Sequence, residues 1–383
     1  MTRSAVPPGQ PEPVTPAFPP DRGEPDASAN ADADAGTNAG AGTNAGANAG
    51  AGAGTSAGAG AGAGSGTGTG AGAGETVAVA TGRRTLYLVV LVILPVLALA
   101  AAVPALWGWG IGPRDAVIAV VMYLISIFGI AIGYHRHFTH RAFRCRRPLR
   151  IALMLAGGMA LEGPVTLWAA EHRRHHKYAD RPGDPHSPWR YGDGGLALLR
   201  GMAHAHVGWF YTARHRSRRQ RWVPDLLADP DVRRFDSAYP AVAVLSFLLP
   251  AMAGGLWAMS WTGVWTALFW GGLVRYAVVH HVTWSVNSIA HTFGERPFTT
   301  RDRSSNVRWV ALLTLGEGWH NWHHVEPSCA RHGVLKGQLD PSARLIRWFE
   351  RAGWAYGAHW PDPARLSARR RSSAPGTEGM PAG

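Results

Sequence analysis

Four stretches of predominantly apolar residues dominate the hydropathy pattern of the chain. A helix that crosses a bilayer needs about 20 such residues, and each stretch meets that length. The stretches cover residues 85–106, 116–134, 239–259 and 264–286. Short links join the first stretch to the second and the third to the fourth. The pattern therefore predicts an all-α integral membrane protein with four transmembrane helices in two hairpins.

Two long hydrophilic segments follow these hairpins, at residues 135–238 and 287–383. An even number of spans places both segments on the same side of the membrane. The first segment holds 19 lysines and arginines, whereas the two hairpin tips hold only Arg114. Because loops rich in Lys and Arg stay in the cytoplasm, the chain is predicted to be a multi-pass cell-membrane protein. A helical cap, the active site and both termini would lie on the cytoplasmic side.

One further apolar stretch, residues 151–170, raises the alternative of a fifth span. The sequence Glu162-Gly163-Pro164 interrupts it after about 11 residues, which is too short to cross a bilayer. A span here would also separate His140 from His172 by about 30 Å of hydrocarbon. The stretch is therefore predicted to be an interfacial or re-entrant segment.

The two ends of the chain differ in composition from its centre. Residues 1–82 are Pro-rich and then consist of Gly, Ala, Asn and Thr, so they are predicted to be a disordered low-complexity tail. Residues 83–352 form the predicted membrane domain, and residues 353–383 an Arg/Pro-rich C-terminal tail. The net charge of +13 is compatible with nucleic acid, but the apolar spans favour a membrane, and no nucleic-acid partner is expected. Cys145 and Cys329 do not suggest a disulfide framework.

Histidines supply the candidate chemistry. Half of the 18 form a pattern of two HxxHH boxes, one HxxxxH and one NxxxH. Positions i, i+3 and i+4 share one face of a helix, so each HxxHH box brings three imidazoles together. The HxxxxH spacing suits a helix end where the chain unwinds. The nine histidines are His135, His140, His172, His175, His176, His291, His320, His323 and His324.

Imidazole ligands suit iron, zinc, copper or nickel, and nine of them imply at least two ions. The other nine histidines are interpreted as ordinary polar groups near a membrane surface. A metal transporter or sensor is a weaker alternative, because ion pathways place ionisable residues inside the spans. The interpreted bystanders are His137, His186, His204, His206, His215, His280, His281, His332 and His359.

Six motifs occur in a characteristic order: GYHRHFTHRAF, WAAEHRRHHKYAD, GDPHS, HVGWF, VTWSVNSIAH and GEGWHNWHH. In these motifs the chain resembles the integral-membrane acyl-CoA delta-9 desaturases, the stearoyl-CoA desaturase-like family, as a bacterial member. The resemblance covers roughly residues 85–345.

The resemblance implies that the nine histidines ligate a di-iron centre, which Asn287 approaches through a water molecule. Trp168 and Thr283 would shape the bend of an acyl tunnel, and no catalytic residue is expected beyond the metal ligands. The implied reaction places a cis double bond, at delta-9, in a saturated acyl-CoA. It uses O2 and two electrons from a separate donor such as a ferredoxin or flavoprotein reductase. The alternative is a histidine-box membrane hydroxylase or ketolase acting on a lipid chain.

The chain also departs from this family. The animal enzymes have an Arg-Asp pair before the first HxxHH box, where this sequence has Ala170 and Glu171. Arg214 belongs to a second basic pair that is only partly kept. With its neighbouring arginines it could bind a phosphate-bearing carrier, or merely follow the positive-inside rule. Carboxylates that could orient the histidines are Asp180, Asp184 and Glu317.

Overall fold

A computed structural model describes residues 93–108, 111–211 and 219–371. The predicted tail at residues 1–82 and the candidate Arg214 lie outside the described residues. The fold is mostly helical. Its first half contains α1 (Leu94–Gly108), α2 (Pro113–Phe128) continuing into a π-helix (Gly129–Thr139), β1 (Arg144–Cys145), α3 (Arg147–Gly158), α4 (Val165–Tyr178) and α5 (Gly195–His206).

The second half begins with two short helices and two long helical runs. They are α6 (Arg219–Trp222), α7 (Pro224–Ala228), α8 (Pro230–Ala258), and α9 (Trp261–Ala267), which passes through a π-helix (Leu268–Val274) into α10 (Arg275–Ser288). Shorter elements follow: α11 (Arg308–Leu313), α12 (His320–Val325), α13 (Pro341–Arg351), β2 (Ala355–Tyr356) and α14 (Pro363–Arg369). The two strands pair in antiparallel fashion, with Arg144 opposite Tyr356.

Two of the described helices are long and apolar enough to cross a membrane. They cover Pro113–Thr139, which contains the second predicted span, and Pro230–Ala258, which contains almost all of the third. Large apolar side chains remain exposed along them, for example Val120 at 57%, Met252 at 57% and Leu256 at 70%. Such faces suit lipid far better than water. The two helices therefore support the membrane character of the protein.

The structure describes the other two predicted spans less simply. The first is described only from residue 93 onward. The fourth forms the continuous run from α9 to α10, but it contains the buried Arg275. The Arg275 guanidinium donates hydrogen bonds to the backbone oxygens of Met159 (2.8 Å), Ser246 (3.0 Å) and Gly271 (3.0 Å). This cation is satisfied by carbonyl groups, and it ties α10 to α8 and to the end of α3.

The stretch 151–170 is not one helix, as the interruption in its sequence predicted. Helix α3 ends at Gly158, a turn occupies residues 159–164, and α4 begins at Val165. Leu161 (φ 66°) and Gly163 (φ 101°) adopt left-handed backbone conformations, which an uninterrupted helix cannot contain. Helix α3 packs closely on the start of the π-helix: a Cβ atom on Gly129 would lie only 2.2 Å from the carbonyl carbon of Ala156.

The folded region continues beyond the predicted boundary at residue 352. Strand β2 and helix α14 both lie in the segment interpreted as a tail, and the Arg371 amide donates to the Pro297 carbonyl at 2.9 Å. The backbone of His359 also contacts both Ala142 and Ala330. These contacts are not local in sequence, so composition alone could not anticipate them.

Candidate metal centre

The π-helix explains the HxxxxH spacing. In a π-helix the hydrogen bonds run from residue i+5 to residue i, so residues five apart share a face. The His140 amide donates to the His135 carbonyl at 3.1 Å, and the two ring centroids lie 4.9 Å apart. The sequence predicted that the chain unwinds here. The helix instead widens and keeps its backbone hydrogen bonds.

The nine predicted histidines meet in two adjoining clusters. In cluster A, the Nε2 atom of His323 lies 3.0 Å from that of His135 and 2.9 Å from that of His176. The two HxxHH boxes, on α4 and α12, therefore face each other. Cluster A contains His135, His140, His172, His176 and His323.

Cluster B contains the remaining four predicted ligands, His175, His291, His320 and His324. The Nε2 atom of His320 lies 3.1 Å from that of His291 and 3.0 Å from that of His324. The rings of His176 and His324 stack with their centroids 4.4 Å apart, so the clusters touch. Each HxxHH box thus contributes to both clusters, which is the arrangement expected when i, i+3 and i+4 serve two neighbouring ions.

Carboxylates hold the outer nitrogens of four of these rings. The Nδ1–carboxylate pairs are His175 with Asp184 (3.0 Å), His291 with Asp180 (2.8 Å), His324 with Asp302 (3.0 Å) and His135 with Glu317. A carboxylate at Nδ1 fixes the proton on that nitrogen and leaves the Nε2 lone pair free for a metal. Asp180, Asp184 and Glu317 were anticipated from the sequence. Asp302 was not, because it lies on a loop with no regular spacing to any histidine.

Imidazole nitrogens without a hydrogen-bond partner indicate that both clusters fit a metal ion. With the Nδ1 protons of His291 and His324 held by carboxylates, their Nε2 atoms offer lone pairs toward His320. A single N–H on His320 can match only one of these lone pairs, which leaves the other for a metal ion. The buried Nε2 atoms of His140 and His175 have no hydrogen-bond partner among the described residues. One such orphan lies in each cluster. Both clusters therefore have the donor set of a metal site.

Electrostatics keeps most of these rings neutral. Burial, followed by neighbouring histidines, lowers the pKa well below 6.5 for five rings: His140, His172, His176, His320 and His323. Burial alone would also lower the pKa of His291, but Asp180 raises it. Neutral imidazole is the form that binds metal, so a buried pocket of this kind favours ion binding over protonation.

Two histidines interpreted as bystanders lie directly against the clusters. The His186 ring stacks on that of His175 at 4.4 Å, and the His332 ring lies 4.5 Å from that of His323. His332 also contacts the fully buried Arg136, which pairs with Glu317 at 2.9 Å. The GDPHS motif was a usable signal for His186. No sequence pattern pointed to His332.

The predicted tunnel residues lie beside cluster A. The Trp168 ring stacks on that of His172 with centroids 4.9 Å apart. Its Nε1–H donates to Glu162 Oε2 at 2.8 Å, and the Thr283 hydroxyl donates to the other oxygen of the same carboxyl group. Glu162, read from the sequence only as a helix interruption, therefore links Trp168 to Thr283. Asn287 lies half-buried on α10, four residues before His291.

Comparison with known proteins identifies the family to which the chain is similar. The model of the fatty acid desaturase family matches residues 114–360, which include all nine histidines. An acetylenase of hex-5-enoyl-[acyl-carrier protein] from Moorena producens is 38% identical over 267 residues, covering 69% of this chain and 83% of that protein. An sn-1 stearoyl-lipid 9-desaturase from Anabaena variabilis is 34% identical over 240 residues, covering 62% and 81%.

Stearoyl-CoA desaturase 5 from Homo sapiens is 34% identical over 220 residues, which cover 56% of this chain and 63% of the human protein. The names of these three relatives specify three different acyl carriers. Their common element is chemistry on an acyl chain, and the family match extends over the whole histidine pattern. The chain is a member of the fatty acid desaturase family.

Proposed function

We propose that this protein is an oxygen-dependent acyl desaturase that introduces a cis double bond, at delta-9, into a saturated acyl-CoA. The observation that carries the proposal is the convergence of nine histidines, five of them buried and four half-buried, in clusters A and B. The four-span topology, with the centre and both termini in the cytoplasm, is part of the same proposal. It rests on the apolar pattern and the distribution of arginines.

The proposed ligands of a two-iron centre are the nine histidines, with Asn287 acting through a water molecule. Iron with O2 supplies the oxidising power for an unactivated C–H bond, which side-chain acids and bases cannot break. One O2, two electrons and two protons are consumed as –CH2–CH2– becomes –CH=CH–, and both oxygen atoms leave as water. The electrons come from a separate donor such as a ferredoxin or flavoprotein reductase.

The protein's own residues orient the reactants. Asp180, Asp184, Asp302 and Glu317 hold four rings so that their Nε2 atoms face the metal positions. Trp168 and Thr283, joined through Glu162, lie beside cluster A and support a bent acyl path there. Holding one C–C pair close to the metals is the main source of selectivity in such a reaction.

The choice of acyl-CoA over other carriers rests on the resemblance to acyl-CoA desaturases. The expected basic contact before the first HxxHH box is missing, since Ala170 is apolar and Glu171 is buried. Arg214 remains the proposed phosphate contact. A thioester of acyl carrier protein and a membrane lipid are therefore the carriers to compare with acyl-CoA.

The first test is a fatty-acid profile by gas chromatography and mass spectrometry with double-bond derivatisation. The host lacks its own aerobic desaturase and expresses the chain with a ferredoxin and its reductase, beside a His172→Ala control. We expect new cis-monoenes that are missing from the control. Hydroxylated or keto chains would establish the hydroxylase or ketolase alternative, and alkynes would establish the activity for which the Moorena producens relative is named. An unchanged profile with iron-loaded protein and with all three carriers supplied would refute the proposal.

A further inference from the structure

A basic loop lies over cluster B. We define the basic loop as residues 295–303, which hold three arginines, Arg296, Arg301 and Arg303. Arg301 and Arg303 are exposed. Of the two acids in the loop, Asp302 faces inward to the ring of His324. Arg371 adds to this charge: it lies close enough to lower the pKa of Arg296, after burial, as Arg303 also does.

The basic loop contacts the ligands of cluster B at several points. Asp302 accepts a hydrogen bond from His324 Nδ1 at 3.0 Å. The Arg303 amide donates to Asp180 at 2.8 Å, and that carboxylate also holds His291. The loop backbone is thus fixed by the same carboxylates that orient two proposed metal ligands.

Trp189 gives the basic loop a second connection to cluster B. The Arg303 guanidinium lies over the Trp189 ring, 3.7 Å from its centroid. The Trp189 Nε1–H donates to the His291 carbonyl at 2.8 Å. From the surface inward, an exposed cation therefore contacts a half-buried aromatic ring, and that ring contacts the backbone of a proposed metal ligand.

This surface is distinct from the predicted path of the acyl chain. Trp168 stacks on His172, and its ring lies 5.9 Å from that of His135, both members of cluster A. In the part of the chain that the structure describes, the hydrogen bonds of the basic loop lead to two proposed ligands, both in cluster B: His291 through Asp180 and Trp189, and His324 through Asp302. The two faces of the centre are therefore available for different partners.

We propose that the basic loop, with Arg371 and Trp189, is the docking surface of a small acidic iron–sulfur protein that delivers electrons through cluster B. The inference rests on the proposed function, which requires two external electrons per double bond. Each reduced carrier is oxidised by one electron, so two encounters serve one turnover. Complementary charge accelerates such brief encounters and makes them sensitive to salt.

Binding tests the docking surface without depending on turnover. The full-length protein in lipid nanodiscs is titrated with an acidic [2Fe–2S] ferredoxin at low and at physiological ionic strength. We expect the binding to be sensitive to salt, because salt screens the long-range attraction of exposed charges. The double variant Arg301→Glu/Arg303→Glu reverses two of these charges, so its binding should be roughly tenfold weaker. The control at a single position is Arg234→Glu, which replaces an exposed arginine of α8 whose electrostatic neighbour is Asp231. It should bind within about twofold of wild type.

A chemical reductant separates this inference from the proposed function. Dithionite with a small mediator should drive one round of desaturation in the wild type without ferredoxin. Equal ferredoxin binding by the wild type and the double variant, or no ferredoxin binding by the wild type, would overturn the docking surface. So would displacement of ferredoxin by acyl carrier protein, which would make the surface a carrier site. Salt-sensitive binding lost in the double variant, with no alkene from the chemically reduced wild type, would support the docking surface and refute the proposed function.

Discussion

The carboxyl group of Glu162 provides the sharpest test of how the residues beside cluster A work. Burial raises the pKa of Glu162 from 4.5 to about 6, although Thr283 and Trp168 both donate hydrogen bonds that oppose this rise. A carboxyl group whose pKa is higher in the folded than in the unfolded protein stabilises the folded protein at pH values below the unfolded pKa. That contribution is lost as the pH rises through about 6.

The size of the effect follows from the two pKa values. Ionising a carboxyl group whose pKa rises from 4.5 to about 6 on folding costs the folded state about 2 kcal/mol of stability at pH 8. At pH 5 the same cost is only about 0.8 kcal/mol. Glu162→Gln cannot ionise and removes this cost. Its amide can still accept from Trp168 and can donate to Thr283, whose hydroxyl also bonds the Val279 carbonyl at 2.9 Å. We therefore expect the stability of Glu162→Gln relative to wild type to be about 1 kcal/mol more favourable at pH 8 than at pH 5.

The assay is thermal unfolding of both proteins in detergent at the two pH values, with the product profile measured in parallel. Glu162→Leu is the contrasting variant, since it leaves the Trp168 indole N–H without a partner at a cost of roughly 1–3 kcal/mol. Glu162→Gln should keep a single double-bond position, and Glu162→Leu should give a mixture. Identical pH dependence in Glu162→Gln and wild type, together with a single product from Glu162→Leu, would refute the linking role of this carboxyl group.

Three further predictions concern the metal centre and the packing around it. Asp184→Asn removes the charge that orients His175, and iron affinity measured by competition with a chelator should fall roughly 10- to 100-fold; unchanged affinity would contradict the role of this carboxylate. Arg136→Met leaves two buried carboxylates without their cation, so the free energy of unfolding should fall by roughly 3–5 kcal/mol. Thermal unfolding measures this loss, and an unfolding temperature equal to that of the wild type would contradict it. Gly129→Ala forces a methyl group against Ala156, where a Cβ would lie at 2.2 Å, and should reduce the yield of folded protein. A wild-type yield would mean that the π-helix and α3 can separate without loss of folded protein.

The convergence of the nine histidines could be anticipated from the sequence because the pattern that indicates it is local. In HxxHH, helix periodicity alone places three rings on one face, and the structure has both boxes on helices, α4 and α12. The second and third spans were equally accessible, since length and apolarity are read directly from the chain. The role of the histidines as iron ligands stays a prediction. What the structure shows is their convergence.

The remaining features depend on contacts between distant segments, which no local pattern encodes. Asp302 reaches His324 from a loop, and His332 lies against His323 although it belongs to no histidine box. The π-helix is another example: its widened turn resembles a frayed helix end in sequence, and only the hydrogen bond from His140 to His135 distinguishes the two. Arg275, in an apolar span, was passed over because its partners are backbone carbonyls far along the chain.

The turn at residues 159–164 connects the apolar helices to the residues beside cluster A. Its backbone is held from several helices: Arg275 of α10 donates to the Met159 carbonyl at 2.8 Å, and Tyr134 of the π-helix donates to the Gly163 carbonyl at 3.2 Å. The Gly163 amide in turn donates to the Tyr239 hydroxyl of α8 at 3.0 Å. A turn with two left-handed residues persists only where its surroundings fix it. Because Glu162 lies within this turn, a shift of any of these helices would move the carboxyl group that joins Trp168 to Thr283. The geometry beside cluster A is therefore set by the packing of the apolar helices as well as by the residues that line it.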